Sequence, residues 1–179
     1  MKAYFQMMAG YNGWANAWLY AAAAKLPEEA YRRDVGLFFG SIHRTLNHLV
    51  LTDQIWLGRV DGQGETPGPL DRVPYELHRD LVEARLAADD RLVTFIASVP
   101  EDGFSAGYSY RNLSGALFTQ PLEHILAHLL NHQAHHRGQA HSGLSIVGAE
   151  PPSLDMVGYH RGVPGPDREA MLSAARASR

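Results

Sequence analysis

Leu122-Glu123-His124-Ile125-Leu126-Ala127-His128-Leu129-Leu130-Asn131-His132-Gln133-Ala134-His135-His136-Arg137-Gly138-Gln139 is the stretch on which the fold turns. Pro121 before it suits the first turn of a helix, and Glu123 sits beside the positive helix end. Leu122, Ile125, Leu129, His132 and His136 recur at alternating spacings of three and four, the buried seam of a bundle helix. At about 100° per residue, His132 and His136 lie nearest the apolar centre, with His128, His135 and His124 progressively further round. The pairs 124/128, 128/132 and 132/136 all have the i, i+4 spacing that lets two imidazoles share a metal. Spacing alone does not choose among them, but the seam favours His132 and His136. Two buried imidazoles need partners, because an unsatisfied buried polar group costs free energy. One metal ion serves both; the plainer alternative is a pair of hydrogen-bonded core histidines.

Working outward, three more segments read as helices. The first runs from about Ala3 to Lys25, with Phe5, Met8, Tyr11, Ala15 and Trp18 at helical spacing, and Leu26-Pro27 closes it. The second runs from about Leu37 to Val60. It stops before the longest clear loop, which begins Asp61-Gly62-Gln63-Gly64 and continues through Pro69. The third runs from about Tyr75 to Ser98, with Leu77, Leu81, Ala84, Ala88, Leu92 and Phe95 as its apolar stripe. The fourth, opened by the quoted stretch, ends near Gly143. Between the third and fourth, Phe104 to Thr119 reads as a short hairpin or an ordered loop. The tail from Gly148 is rich in proline and irregular, with room for a last helix after Pro166. The expectation is an all-α, single-domain four-helix bundle over residues 1–163, followed by a C-terminal tail over 164–179.

Composition bounds the function. The 179 residues are 45% hydrophobic and 20% charged, with a net charge of −3, which suits a soluble globular domain and not a general nucleic-acid binder. No cysteine is present, so disulfides, thiolate metal ligands and a cysteine nucleophile are excluded. Any transition-metal site uses nitrogen and oxygen donors, and five of the ten histidines fall between His124 and His136. The Ala17–Ala24 run is too short and badly placed for a signal peptide, and no stretch is long enough to span a membrane. A cytoplasmic location and no membrane partner are expected.

A third ligand must come from another helix. The second helix offers His43 and His48, five apart and about 140° apart on the wheel, so both do not reach one ion. His43 lies nearer one apolar stripe and His48 nearer a cluster with Leu51 and Ile55; the wheel does not decide.

Three segments resemble the DinB family of metal-dependent bundle proteins, whose wider superfamily includes the YfiT-like proteins and the mycothiol-linked maleylpyruvate isomerases. They are Tyr11-Asn12-Gly13-Trp14-Ala15-Asn16, Thr45 to Leu57 around Asn47-His48-Leu49, and Asn131 to Gln139. Gly148 to Asp155 also fits. The resemblance spans about residues 1–161. It implies a four-helix bundle with one long crossover, often a homodimer, and three histidine ligands: His48, His132 and His136. It thus selects His48 over His43.

Three neutral imidazoles leave positions open for water or substrate, and without thiolate the ion is one divalent transition metal among Zn, Ni, Fe, Co and Mn. The resemblance implies a small-molecule substrate and transfer of a low-molecular-weight thiol, such as mycothiol or bacillithiol, to an electrophile. The alternatives are a non-enzymatic metal-binding or stress-response protein and a metal-dependent hydrolase; the latter lacks an obvious carboxylate base. The open position is expected to face a pocket built from the first, second and fourth helices. Asp53 is a candidate to orient a ligand imidazole or else a capped or solvated acid. Arg137 and Gln139 either bind an anionic substrate or cap their helix. Tyr11, Trp14 and Asn16 are candidates for the pocket wall or the core, and His78 and His160 for the surface.

Overall fold

The computed structural model describes residues 1–62 and 69–177. Most of the glycine- and proline-rich loop expected after Asp61 therefore lies outside the described residues. The elements are α1 (Lys2–Ala23), α2 (Glu28–Arg32), α3 (Ile42–Asp61), α4 (His78–Ser98), a 3₁₀ turn (Glu101–Ser105), β1 (Gly107–Arg111), β2 (Leu117–Pro121), α5 (Leu122–Ile146), α6 (Met156–His160) and α7 (Arg168–Ala177). With 66% of the described residues helical and 7% in strands, the fold is all-α. Of the long helices, α1 and α3 each pack on both α4 and α5, so the four form a ring. The segment carrying α2 crosses from α1 to α3, and the hairpin β1–β2 lies on the connection from α4 to α5.

The second long helix starts five residues later than the sequence suggests. Ser41 caps it by accepting a hydrogen bond from the Arg44 backbone N–H at 3.2 Å. The residues before the cap form a tight turn closed by a Leu37–Gly40 bridge, with Gly40 at φ 82°. That turn presents Phe38 and Phe39 at the bundle surface. The last long helix overruns its expected stop, ending at Ile146. Gly143 is not a terminator. A Cβ there would meet Ile42 Cγ1 at 2.9 Å and Leu37 Cδ1 at 3.0 Å, so this glycine lets α5 approach the start of α3. The third expected helix begins at His78 rather than Tyr75, and α2 was not foreseen.

The core is divided. One apolar cluster contains Leu19, Tyr20, Leu46, Leu49, Val50, Leu81, Val82, Ala140 and Leu144. The other contains Phe5, Leu57, Leu92, Ile96, Phe104, Leu122, Ile125 and Leu129. Between these clusters every long helix contributes polar residues: Asn12 and Asn16, Asp53, Arg85, Gln133 and Arg137, all buried, and Asp89, which is largely buried. They bond chiefly to one another, although among the described residues Arg85 Nη1 and Gln133 Oε1 find no hydrogen-bond partner. Arg85 Nη2 lies 2.5 Å from Asp53 and 3.0 Å from Asp89. Gln133 Nε2 donates to Asp53 at 2.6 Å, and Asn16 Nδ2 donates to Asp89 at 3.0 Å. Arg137 donates to Asn12 at 2.6 Å and to Asn16 at 3.2 Å. Two guanidinium groups and two carboxylates thus form one bonded layer across all four helices.

The tail is tied down. Tyr11 donates to the Leu154 carbonyl at 2.8 Å, and Trp14 Nε1 donates to the Val163 carbonyl at 2.9 Å. Helix α7 then packs on α4 and α1, placing Met171 and Ala175 in the first cluster.

Candidate metal centre

Helices α3 and α5 pack against each other, and the histidines meet across that contact. His48, His132 and His136 each offer a ring nitrogen, and the three atoms lie within 4.8 Å of one another. His48 Nε2 is 3.3 Å from His132 Nε2. Ring centroids are 4.7 Å apart for His48 and His136 and 4.4 Å for His132 and His136. Zinc–imidazole bonds of about 2.0–2.1 Å put tetrahedral ligand nitrogens roughly 3.3–3.4 Å apart, which the His48–His132 pair matches.

Two of the rings are oriented by groups behind them. His48 Nδ1 is 3.0 Å from the Leu70 carbonyl. A carbonyl only accepts, so Nδ1 carries the proton and Nε2 keeps its lone pair. His136 Nδ1 donates to Gln139 Oε1 at 2.8 Å, with the same consequence. Phe39 stacks on His48 at a centroid distance of 3.9 Å. Burial lowers the His48 pKa to about 4, with the His136 charge adding to it and the Leu70 bond opposing it. Burial and then the neighbouring histidines lower His132 to about 3, and burial lowers His136 as well. All three imidazoles are therefore neutral near pH 7, the form that donates a lone pair to a metal.

The triad lines an open cavity of about 510 Å³, whose other walls are Phe38, Phe39, Leu70, Asp71 and His135. The expected contribution of the first helix is corrected here: the wall comes from α3, α5, the turn before α3 and the residues after the loop. The inward polar groups of α1, Asn12 and Asn16, are engaged in the buried layer instead. Phe38 and Phe39 were missed as cavity residues because the sequence reading placed them in the first turn of the second helix, and Asp71 because it follows the loop, where periodicity carries no signal.

The model of the DinB family matches residues 1–169. The chain belongs to the DinB family. A relative, Protein DinB of Bacillus subtilis (strain 168), is 23% identical over 144 residues, which cover 77% of this chain and 83% of the relative. No solved structure matches the chain significantly.

The remaining candidates in this DinB-family chain take other places. His43 is buried away from the triad, where Nε2 donates to the Tyr75 carbonyl at 3.0 Å and Nδ1 accepts from Arg32 at 3.2 Å. His128 and His135 are exposed, although His135 reaches the cavity rim and accepts from Gln139 Nε2 at 3.2 Å. Gln139 therefore bridges two histidines rather than capping its helix. Asp53 neither orients an imidazole nor meets solvent; it belongs to the buried layer. So does Arg137, whose guanidinium also lies 5.3 Å over the Tyr11 ring. His78 is not a surface residue. It is 2% exposed, donating from Nε2 to the Tyr20 carbonyl and accepting from the Tyr31 hydroxyl at 2.9 Å. His160 is exposed, as its sequence context suggests.

Proposed function

We propose that this protein binds one divalent transition metal through His48, His132 and His136 and presents an open position on it to a small molecule, a low-molecular-weight thiol being transferred to an electrophile. The observation that carries the reading is the triad's place on the wall of an open cavity. A closed structural site would bury its ligands behind further side chains, whereas here the cavity gives a ligand access. A divalent ion held there supplies Lewis acidity, lowering the pKa of a thiol or water bound to it. The protein's own part is positional. The Leu70 carbonyl and Gln139 hold two imidazoles in the ligating tautomer, and Phe39 supports His48 from behind. Neutral ligands leave the ion's charge uncompensated, which favours an anionic thiolate.

Asp71 in the cavity wall keeps a second reading in play, since a carboxylate beside the site suits a base for hydrolysis. The reading also includes a homodimer, as the family resemblance implies, and a cytoplasmic location. Among the described residues no helix is long and apolar enough to cross a membrane.

Cobalt substitution tests the proposal. A small thiol added near neutral pH should change the visible spectrum and introduce a sulfur-to-metal charge-transfer band. The band should be absent in His136→Ala. A spectrum that ignores thiols, azide and pH alike means the position is closed, and the non-enzymatic reading replaces this one. Light scattering in solution tests the dimer.

A further inference from the structure

A line of ring contacts leaves the triad and runs along the α3–α5 contact. The His132 ring lies 5.8 Å from His128, His128 lies 4.9 Å from Trp56, and Trp56 lies 5.3 Å from Tyr110 of β1. The line ends at Arg59. Its guanidinium carbon sits 4.3 Å over the Trp56 ring and 5.0 Å over the Tyr110 ring.

Arg59 differs from the other arginines of the molecule that are held in place. Arg85 has Asp53 and Asp89, Arg91 has Asp61, Arg32 has Glu28 and Glu76, and Arg168 has Asp90. Arg59 is half-buried and, among the described residues, has neither a carboxylate nor a carbonyl partner. Two aromatic faces hold its position and stabilise its charge. They leave its N–H groups without in-plane acceptors, which is the capacity needed for a bidentate oxyanion contact. A cation preset by rings gives up less side-chain freedom on binding than a free arginine does.

The spacing sets the length of what fits. Trp56 is eight residues beyond His48 on α3, about 12 Å along the axis at the helical rise. Arg59 lies one turn further but leans back over Trp56, as helical side chains do. We propose that Arg59 is a specificity-determining residue: it receives an oxyanion, carboxylate or phosphate, at the far end of an elongated substrate whose near end sits at the histidine triad. His128 and Trp56 form the wall that the intervening chain lies along. This rests on the metal-site reading above and extends it from the reacting atom to the whole substrate.

The test uses the cobalt-loaded full-length protein and simple probes whose head carboxylate reaches the metal. Succinate, suberate and dodecanedioate are titrated against hydroxy acids of the same chain lengths, with the visible spectrum as readout. The longer diacids should bind about 10-fold tighter than their hydroxy counterparts, the value of one charge-assisted contact, and succinate should gain nothing. That ratio should fall to about one in Arg59→Gln and return only in part in Arg59→Lys, which restores the charge but not the stacked bidentate fork, with metal loading unchanged in both. Chains ending in phosphate in place of the distal carboxylate show which oxyanion is preferred; a length-dependent gain with either supports the proposal. A purely structural Arg59, pinning the hairpin to α3, would shift all probes together and create no chain-length optimum. A ratio near one at every length, or one that survives Arg59→Gln, overturns the inference while the metal reading stands. If cobalt does not load, or no head group moves the spectrum, the metal reading fails and this inference falls with it.

Discussion

Replacing Arg85 by Met removes a cation on which two buried carboxylates depend. The Arg85 side chain is 0% exposed, and its contacts run to Asp53 at 2.5 Å and Asp89 at 3.0 Å. The layer holds two guanidinium groups and two carboxylates, so it is balanced only while all four are present. Methionine keeps most of the volume and none of the charge. Removing one partner of a buried ion pair costs about 3–5 kcal/mol, because the other charge stays buried without compensation. For a chain of this length that corresponds to a fall in Tm of roughly 6–20 °C. The loss should also depend on pH. In the native protein burial lifts the Asp53 carboxyl to about 6, with Arg85 opposing the rise. A carboxyl raised above its unfolded value near 3.9 keeps a proton that the unfolded chain has released, so stability falls as pH climbs through that window. Without Arg85 the window extends upward. The variant should keep losing stability between roughly pH 6 and pH 8, by up to about 1.4 kcal/mol per unit, where this group no longer affects the wild type. Urea denaturation of metal-free protein at both pH values measures this. Adding Asp53→Leu to Arg85→Met should recover part of the loss, because Asp89 retains Asn12, Asn16 and the nearby Arg137. A single variant within about 1 kcal/mol of wild type at both pH values would refute the balanced-layer account.

His132→Ala, His136→Ala and His48→Ala should each abolish stoichiometric metal binding, while His128→Ala, His135→Ala and His43→Ala retain it; full occupancy in His132→Ala by metal analysis would sink the ligand assignment. Because burial holds His48 near 4 and His132 near 3, protons should not displace the metal until well below the ordinary histidine range. Occupancy should therefore hold from about pH 8 to pH 5, and a decline setting in near 6.5 contradicts preset neutral ligands. Gly143→Ala should destabilise by about 1–3 kcal/mol through its clash with Ile42 and Leu37, and a neutral or stabilising result means α5 can shift to accommodate it.

The α5 seam was readable because candidate ligand and core residues share one helical period: Leu122, Ile125 and Leu129 recur in register with His132 and His136. His48 was not readable that way. His43 and His48 each lie beside apolar residues on different sides of α3, and only resemblance separated the two. The buried layer was hidden for a different reason. Asp53, Arg85, Asp89 and Arg137 look solvated one helix at a time, and their burial becomes evident only when four helices bring them to one height. His78 misled in the same way, since its partners Tyr20 and Tyr31 lie on other elements. Phe38 was read into a helix that starts only at Ile42, and Asp71 sits in irregular backbone, where periodicity carries no information.

The strap that Tyr11 and Trp14 hold, and the helix that follows it, also bear on how the chain is made. Helix α7 is synthesised after every helix it packs on. At about 5–20 residues per second, the stretch from Gly148 to Ala177 takes roughly 2–6 s to emerge once α5 is complete. During that interval the α1–α4 face lacks its cover, and Trp14 and the groove that later holds Met171 are open. Nascent chains would be most exposed to chaperones, and to pairing with another nascent copy, in those seconds. A stop codon in this region would release a protein with an open core rather than one that has merely lost a tail.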